Sequence, residues 1–298
     1  MKDNIVVFMP NRGIGDAIFH YRFCKSLYNH HNKTITLIAP RTTKANQIYK
    51  NNKIFRKIIL LNLQRPSFLG YFKKILYIVN KLLDSNYEKI YYTGDHKWQI
   101  ISLLILKLFK RFELIYSPIK KYYIIDHLDF LLKKSNIDLD FDNNLKISDK
   151  ISKKKKLRLS KYKKPWVFIS IDTAADQIKI PEKYLELIIN KLKKKYNTIF
   201  LNTNRENKNK IKPFLNNKII PTFEYNILEI NYIMKNSKLF IGNDSGPGNL
   251  STLLNHKSII FLSKNTSGEI KKIMSRGKRI FIIFELIEKK IINLFKFI

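Results

Sequence analysis

Short apolar runs alternate with stretches of helical periodicity along the whole chain, and this alternation restricts the fold more than any other feature. In the first half, Ile5 to Met9, Thr34 to Ala39, Lys57 to Leu61, Lys89 to Thr93 and Phe112 to Tyr116 read as strands. Helical stretches such as Phe68 to Leu83 and Trp98 to Phe109 lie between them. The second half repeats the pattern. Strands are expected at Trp166 to Ile171, Thr198 to Asn202, Lys238 to Ile241, Ser258 to Leu262 and Arg279 to Ile282, and helices at Pro181 to Lys195, Ile227 to Asn236 and Gly246 to Leu254. Strands that alternate with helices imply parallel sheets covered on both faces.

The expected fold is therefore α/β, with two Rossmann-like doubly wound domains facing a cleft. Residues 1–150 form the first and 165–298 the second. Residues 151–164, with Lys153-Lys154-Lys155-Lys156, read as a solvated basic linker; a membrane-docking run is the alternative. The apolar segment Phe284 to Ile298 reads as a terminal helix packing back on the first domain, or as an interfacial anchor. The 298 residues and 45% hydrophobic content suffice for two cores. The single cysteine, Cys24, excludes an internal disulfide and suits a reducing compartment. It reads as a small apolar residue on the buried face of the first helix. No signal peptide is read, and the longest apolar run, Ile100 to Leu106, is too short to span a bilayer. These readings point to a cytoplasmic chain.

Lys and Arg number 57 against 23 Asp and Glu, a formal net charge of +34. Such a surface attracts polyanions, both nucleic acid and anionic lipid headgroups. The chain is also rich in Asn and Ile, as biased composition alone produces. No nucleic-acid-binding motif accompanies the charge, so no specific nucleic acid partner is expected.

Two turns stand out. Lys238 to Gly242 is a short apolar run that breaks into Asn243-Asp244-Ser245-Gly246-Pro247-Gly248-Asn249-Leu250, a tight turn and a helix start. A helix start exposes unpaired N–H groups and the positive end of the dipole. Ser245, Gly246 and Gly248 let an anion approach the backbone, and Pro247 fits the first helical turn. A phosphate or diphosphate cradle and a capped junction without a ligand both fit these residue types. Near the other end, Pro10-Asn11-Arg12-Gly13-Ile14-Gly15-Asp16 follows the first strand. It lacks the third glycine of a dinucleotide fingerprint, where Ile18 stands, and the Gly-Lys-Ser/Thr of a P-loop. Instead it places the carboxylate of Asp16 at the mouth of the sheet, where an Asp also serves as a helix cap. His20, one turn later, is given no role.

Gly13 to Ile18 and Ile241 to Leu250, together with Phe168 to Ala175, Lys179 to Tyr184 and Phe200 to Glu206 between them, resemble glycosyltransferase family 9, the lipopolysaccharide heptosyltransferases. The resemblance runs through most of the chain and implies a GT-B fold. It implies metal-independent transfer of a sugar, with inversion, from a nucleotide-diphosphate donor such as ADP-heptose to a lipid-linked saccharide acceptor at the inner membrane face. No cofactor and no metal site are expected. Asp16 is then the candidate base, with Gly13 and Gly15 in its loop. Ser245, Gly246, Pro247, Gly248, Asn249, Asp244, Lys179 and Glu206 are the candidate donor-binding residues. Arg12, Asp95, His96 and Trp98 are candidates on the acceptor side, where Tyr91 and Tyr92 either offer flat faces or are ordinary strand-end aromatics. The sequence departs from the family pattern in four places. Asn249 stands where His is usual, and Ile178 where Lys is usual. Ser263-Lys264-Asn265-Thr266 replaces a Gly-Pro-Thr, and Tyr91 to His96 replaces an acidic segment. A degenerate protein that binds a nucleotide or anionic glycan, and a charge-driven nucleic-acid binder, are the competing readings.

Overall fold

A computed structural model describes residues 5–11, 13–62, 70–83, 87–117, 124–140, 145–147, 151–171, 180, 182–203, 208–243, 245–254, 256–262 and 279–283. The chain divides into two compact units, Met1–Leu145 and Lys146–Ile298.

In the first unit, β1 (Ile5–Phe8), β2 (Ile35–Pro40), β3 (Phe55–Leu61), β4 (Lys89–Tyr92) and β5 (Glu113–Ile115) form a parallel sheet in the order β3-β2-β1-β4-β5. The helices are α1 (Ile14–His31), α2 (Ala45–Ile48), α3 (Gly70–Leu83), α4 (Lys97–Phe109) and α5 (Ile124–Lys133). Every residue of β1 and β2 is buried, as a central parallel strand covered on both sides requires. The period of two sorts the side chains by face. Val6, Phe8, Ile90 and Tyr92 join Ile78, Val79, Leu82, Leu103 and Leu106 in one core, under α3 and α4. Tyr91 points the other way and meets Phe23 of α1 edge-on at 5.8 Å. Cys24 is buried in the same helix, as expected.

The second unit holds α6 (Lys153–Ser160), β6 (Trp166–Ser170), α7 (Glu182–Leu192), β7 (Thr198–Asn202), α8 (Lys208–Ile211), β8 (Ile219–Pro221), α9 (Ile227–Asn236), β9 (Ser237–Asn243), α10 (Gly246–Leu253), β10 (Ser258–Leu262) and β11 (Arg279–Ile283). Its sheet is parallel in the order β11-β10-β9-β6-β7-β8. On α7 the buried positions Tyr184, Leu185, Ile188, Ile189 and Leu192 recur at helical spacing and pack on Val167, Ile199 and Leu239. Each fully buried aliphatic side chain there contributes about 2 kcal/mol.

The expected α/β class with two Rossmann-like sheets is what the chain adopts. Several details differ from the sequence reading, three of them informative. β8 was not anticipated: it is three residues long and ends in Pro221, which an edge strand tolerates because one side needs no ladder donor. α5 was also missed. The basic segment 151–164 is folded over part of its length as α6. Ser152 caps that helix through Lys155 N, Leu159 is buried, and Lys155 pairs with Glu229, whose side chain is 4% exposed. A run of like charges is helical here because one face finds an apolar seat and a buried counter-charge. The segment 284–298 lies outside the described residues. Among the described residues no helix is long and apolar enough to cross a membrane.

Both sheets carry a topological switch. In the first unit the chain runs from β1 to β2 and β3 on one side, then returns to β4 on the other side of β1. In the second, β7 and β8 lie on one side of β6 and β9 on the other. At such points the connections leave in opposite directions and open a crevice beyond the carboxyl ends of the strands.

Candidate active site

The turn after β1 opens onto the first switch. Gly13 is the N-cap of α1, at φ −84° and ψ 154°. The Asp16 carboxylate, in the third helical position, accepts a hydrogen bond from Gly13 N–H at 2.8 Å. It thereby satisfies one donor that the helix start leaves open. A Cβ on Gly13 would lie 2.8 Å from Asp16 Oδ2, so the glycine makes room for the carboxylate to fold back. Burial raises the Asp16 carboxyl pKa above its ordinary value, and the Gly13 hydrogen bond opposes this in part. Asp16 is half-buried.

Beneath it, His20 is fully buried. Its Nδ1 lies 2.7 Å from the Asp16 carbonyl and its Nε2 2.8 Å from Thr93 Oγ1. A carbonyl only accepts, so Nδ1 carries the proton and Nε2 accepts from the Thr93 hydroxyl. Burial lowers the His20 pKa to about 4, the Asp16 carbonyl opposes this, and nearby His127 adds to the depression. His20 is thus a neutral imidazole joining the first turn of α1 to the exit of β4. Tyr49 holds the same turn by donating its hydroxyl to the Ala17 carbonyl. The sequence reading gave His20 no role. Its position one turn after Asp16 was visible, but its partner 73 residues away was not.

The exit of β4 holds the acceptor-side candidates. Asp95 and His96 are half-buried, with 3.8 Å between Asp95 Oδ1 and His96 Nδ1. His96 starts α4, and its N–H donates to Tyr92 Oη at 3.0 Å. Trp98 packs against the core beneath α3 and α4. Tyr91 and Tyr92 are fully buried, and the Tyr92 hydroxyl donates to Gln99 at 2.7 Å. Of the two readings of these tyrosines, the burial selects ordinary strand-end aromatics over open faces for a ligand: alternate residues of a doubly covered strand point into one core or the other. Gly94 is packed closely, since a Cβ there would lie 2.1 Å from Pro10 Cγ. Arg12 lies outside the described residues.

The turn after β9 opens onto the second switch. Ser245 caps α10: its hydroxyl accepts from Gly248 N–H at 3.4 Å and donates to the Asn243 carbonyl at 3.2 Å. Gly246 and Pro247 take the first two helical positions. A Cβ on Gly248 would lie 2.5 Å from the Asn243 carbonyl. This glycine is therefore required by the chain's own backbone, whether or not an anion also approaches it. Asn243 is fully buried and donates through Nδ2 to the Ile171 carbonyl at 2.7 Å, which bridges the exits of β9 and β6. Asn249 is 6% exposed, and its Oδ1 has no hydrogen-bond partner among the described residues. The turn can present a helix N-terminus to an anion, with Gly248 N–H already engaged by the cap. Asp244, Lys179 and Glu206 lie outside the described residues. Among the described residues no three His, Cys, Asp or Glu side chains are grouped as a metal site.

Two parallel Rossmann-like sheets, each with a glycine turn at its switch, define an α/β chain of the GT-B type. Solved structures of glycosyltransferase family 9 share this fold, as the sequence resemblance implied. The family 9 glycosyl transferase of Veillonella parvula superposes with a TM-score of 0.74 at 12% identity, over 98% of this chain and 89% of that one. The Escherichia coli ADP-heptose lipopolysaccharide heptosyltransferase II gives a TM-score of 0.68 at 13% identity, over 94% and 90%. The UDP-GlcNAc 2-epimerase of Methanocaldococcus jannaschii gives 0.60 at 14% identity, over 98% and 92%. No protein-family model and no curated protein matches the sequence.

Proposed function

We propose that this protein is a glycosyltransferase that moves a sugar from a nucleotide-diphosphate donor to an acceptor hydroxyl, with Asp16 as the general base. The observation that carries this reading is Asp16 itself. It is a carboxylate at a topological switch, held by Gly13, with its pKa raised by burial. A raised pKa makes a carboxylate a better proton acceptor near neutrality. Asp16 accepts the proton of the acceptor hydroxyl as its oxygen attacks the anomeric carbon. The bond to the diphosphate breaks on the opposite side, which inverts that carbon. The N-terminus of α10 stabilises the departing negative charge, with Lys179 adding a cation and Glu206 meeting the ribose. No metal is required for that role. Family 9 resemblance favours ADP-heptose or a related donor and a lipid-linked surface saccharide as acceptor. A cytoplasmic protein that visits the inner membrane face suits both the acceptor and the net charge of +34.

A second reading is a binding protein that holds the same ligands without turnover. Asn249 favours it: an amide stands where the family usually has a titratable histidine.

Both readings meet in one experiment. Binding and transfer are measured for ADP-, GDP- and UDP-sugars with wild type and Asp16→Asn. The amide keeps an acceptor for Gly13 N–H but takes up no proton. Loss of transfer with donor binding retained supports the base. Donor binding without transfer in the wild type selects the binding protein. Absence of donor binding refutes both.

A further inference from the structure

The outer surface of α3 and α4 has an apolar character that the core does not explain. Phe72 (68% exposed) and Leu76 on α3, and Ile101, Leu104, Leu108 (81%) and Phe109 (68%) on α4, stand open to solvent. Elsewhere, among the residues whose side-chain burial is described, only Leu157 and Leu187 are large apolar side chains of comparable exposure. The spacing is regular. Phe72 and Leu76 are one turn apart, and Ile101, Leu104 and Leu108 recur at i, i+3 and i+7, so each set is a stripe on its helix. These stripes are distinct from the inward set of Ile78, Val79, Leu82, Leu103 and Leu106. The two helices pack on each other over the same sheet face. Both stripes therefore belong to one helical layer. Exposed apolar area on this scale marks a surface meant to be covered.

The charge around the stripes identifies what covers them. Neither helix contains an Asp or Glu. Lys73, Lys74, Lys81, Lys97 and Lys107 lie on the helices, and Lys110 and Arg111 follow α4 directly. A second copy of this face would set one basic rim against another. An anionic bilayer matches both components, because apolar side chains enter the acyl boundary while lysine stems reach the headgroup phosphates.

We propose that the outer face of α3 and α4 docks on an anionic phospholipid bilayer, with Phe72, Leu104, Leu108 and Phe109 entering the interface and the surrounding lysines holding the headgroups. The proposal extends the membrane-surface part of the proposed function. It uses no step of the transfer chemistry, so its test needs neither donor nor acceptor and its failure leaves the transferase reading standing.

The full chain is floated with phosphatidylcholine vesicles, with and without phosphatidylglycerol, at low and high salt. Wild type binds the phosphatidylglycerol vesicles, and binding weakens with salt. Leu108→Gln/Phe109→Gln lowers the bound fraction by about tenfold or more, since each substitution removes a side chain that would be buried at the interface. Leu157→Gln/Leu187→Gln, the same change at exposed positions in the other unit, binds as wild type. Thermal unfolding of both variants matches wild type, because the substituted side chains lie outside the core. The proposal is overturned if the Leu108/Phe109 variant binds as wild type, or if neutral vesicles bind equally well. It is overturned too if size-exclusion with light scattering finds a dimer that this variant dissociates, which would make a second copy the occupant.

Discussion

Protonation of His20 sets a specific acid sensitivity. The imidazole is fully buried and neutral, with a pKa lowered from 6.5 to about 4. In the unfolded chain it takes up a proton near 6.5; in the folded chain it resists until about pH 4. Between those values the unfolded state binds more protons, so stability falls as pH falls. The contribution is fully present above about pH 6.5 and lost progressively toward pH 4. The whole shift corresponds to about 3 kcal/mol, and the step from pH 7.5 to pH 5 to about 2 kcal/mol. For a unit of this size that is a fall in Tm of about 4–8 °C from this one group. The assay is thermal unfolding followed by circular dichroism at both pH values and fixed ionic strength, for wild type and His20→Gln. Glutamine does not titrate and still reaches toward Thr93, but it gives up the bond to the Asp16 carbonyl, so it starts about 1–2 kcal/mol less stable. The slope decides, not the offset. The carboxylates remain in both proteins, so their share cancels. Equal pH slopes in wild type and variant would refute the assignment of His20 as a buried neutral link.

Three further outcomes follow from the same geometry. Asp16→Asn abolishes transfer yet melts at or above the wild-type temperature at pH 7.5. A carboxyl whose pKa is raised by burial costs stability once ionised, and that cost grows as pH rises through the raised value; a clearly lower Tm would make Asp16 a cap and nothing more. Gly248→Ala loses about 1–3 kcal/mol, read by urea unfolding, because its methyl group meets the rigid Asn243 carbonyl. Gly13→Ala meets only the end of the Asp16 side chain, so it costs less than about 1 kcal/mol while displacing the carboxylate. Its kcat falls at least tenfold with KM for the donor little changed, measured by initial rates.

The sequence made the sheets legible because parallel strands covered on both faces are written as unbroken apolar runs, as in Ile5 to Met9 and Trp166 to Ile171. Asp16 and Ser245 were legible as helix-start residues for a related reason: turns at helix starts need small residues and side-chain acceptors, and those residue types are few. What escaped was set by distance along the chain. His20 meets Thr93 and Asn243 meets Ile171 only after the strands pair. Periodicity sees a histidine on a helix and an asparagine at a strand end, and nothing about partners 73 and 72 residues away. Gly248 shows the converse problem. Its place beside a candidate phosphate turn suggested a ligand, but the backbone of Asn243 already explains it. β8 and α6 were missed because each depends on a tertiary partner, β7 for one and Glu229 for the other.

The two buried bridges have a bearing on how such a chain can change. His20 ties the turn bearing Asp16 to the β4 exit, and Asn243 ties β9 to the exit of β6, each by reaching a neighbour's backbone or hydroxyl from below. The mouths of both sheets are braced by residues that are themselves fully buried. Half-buried side chains above them, such as His96, take no part in these two bridges. A lineage can exchange what it recognises by altering that upper layer, one substitution at a time, without relearning how to fold.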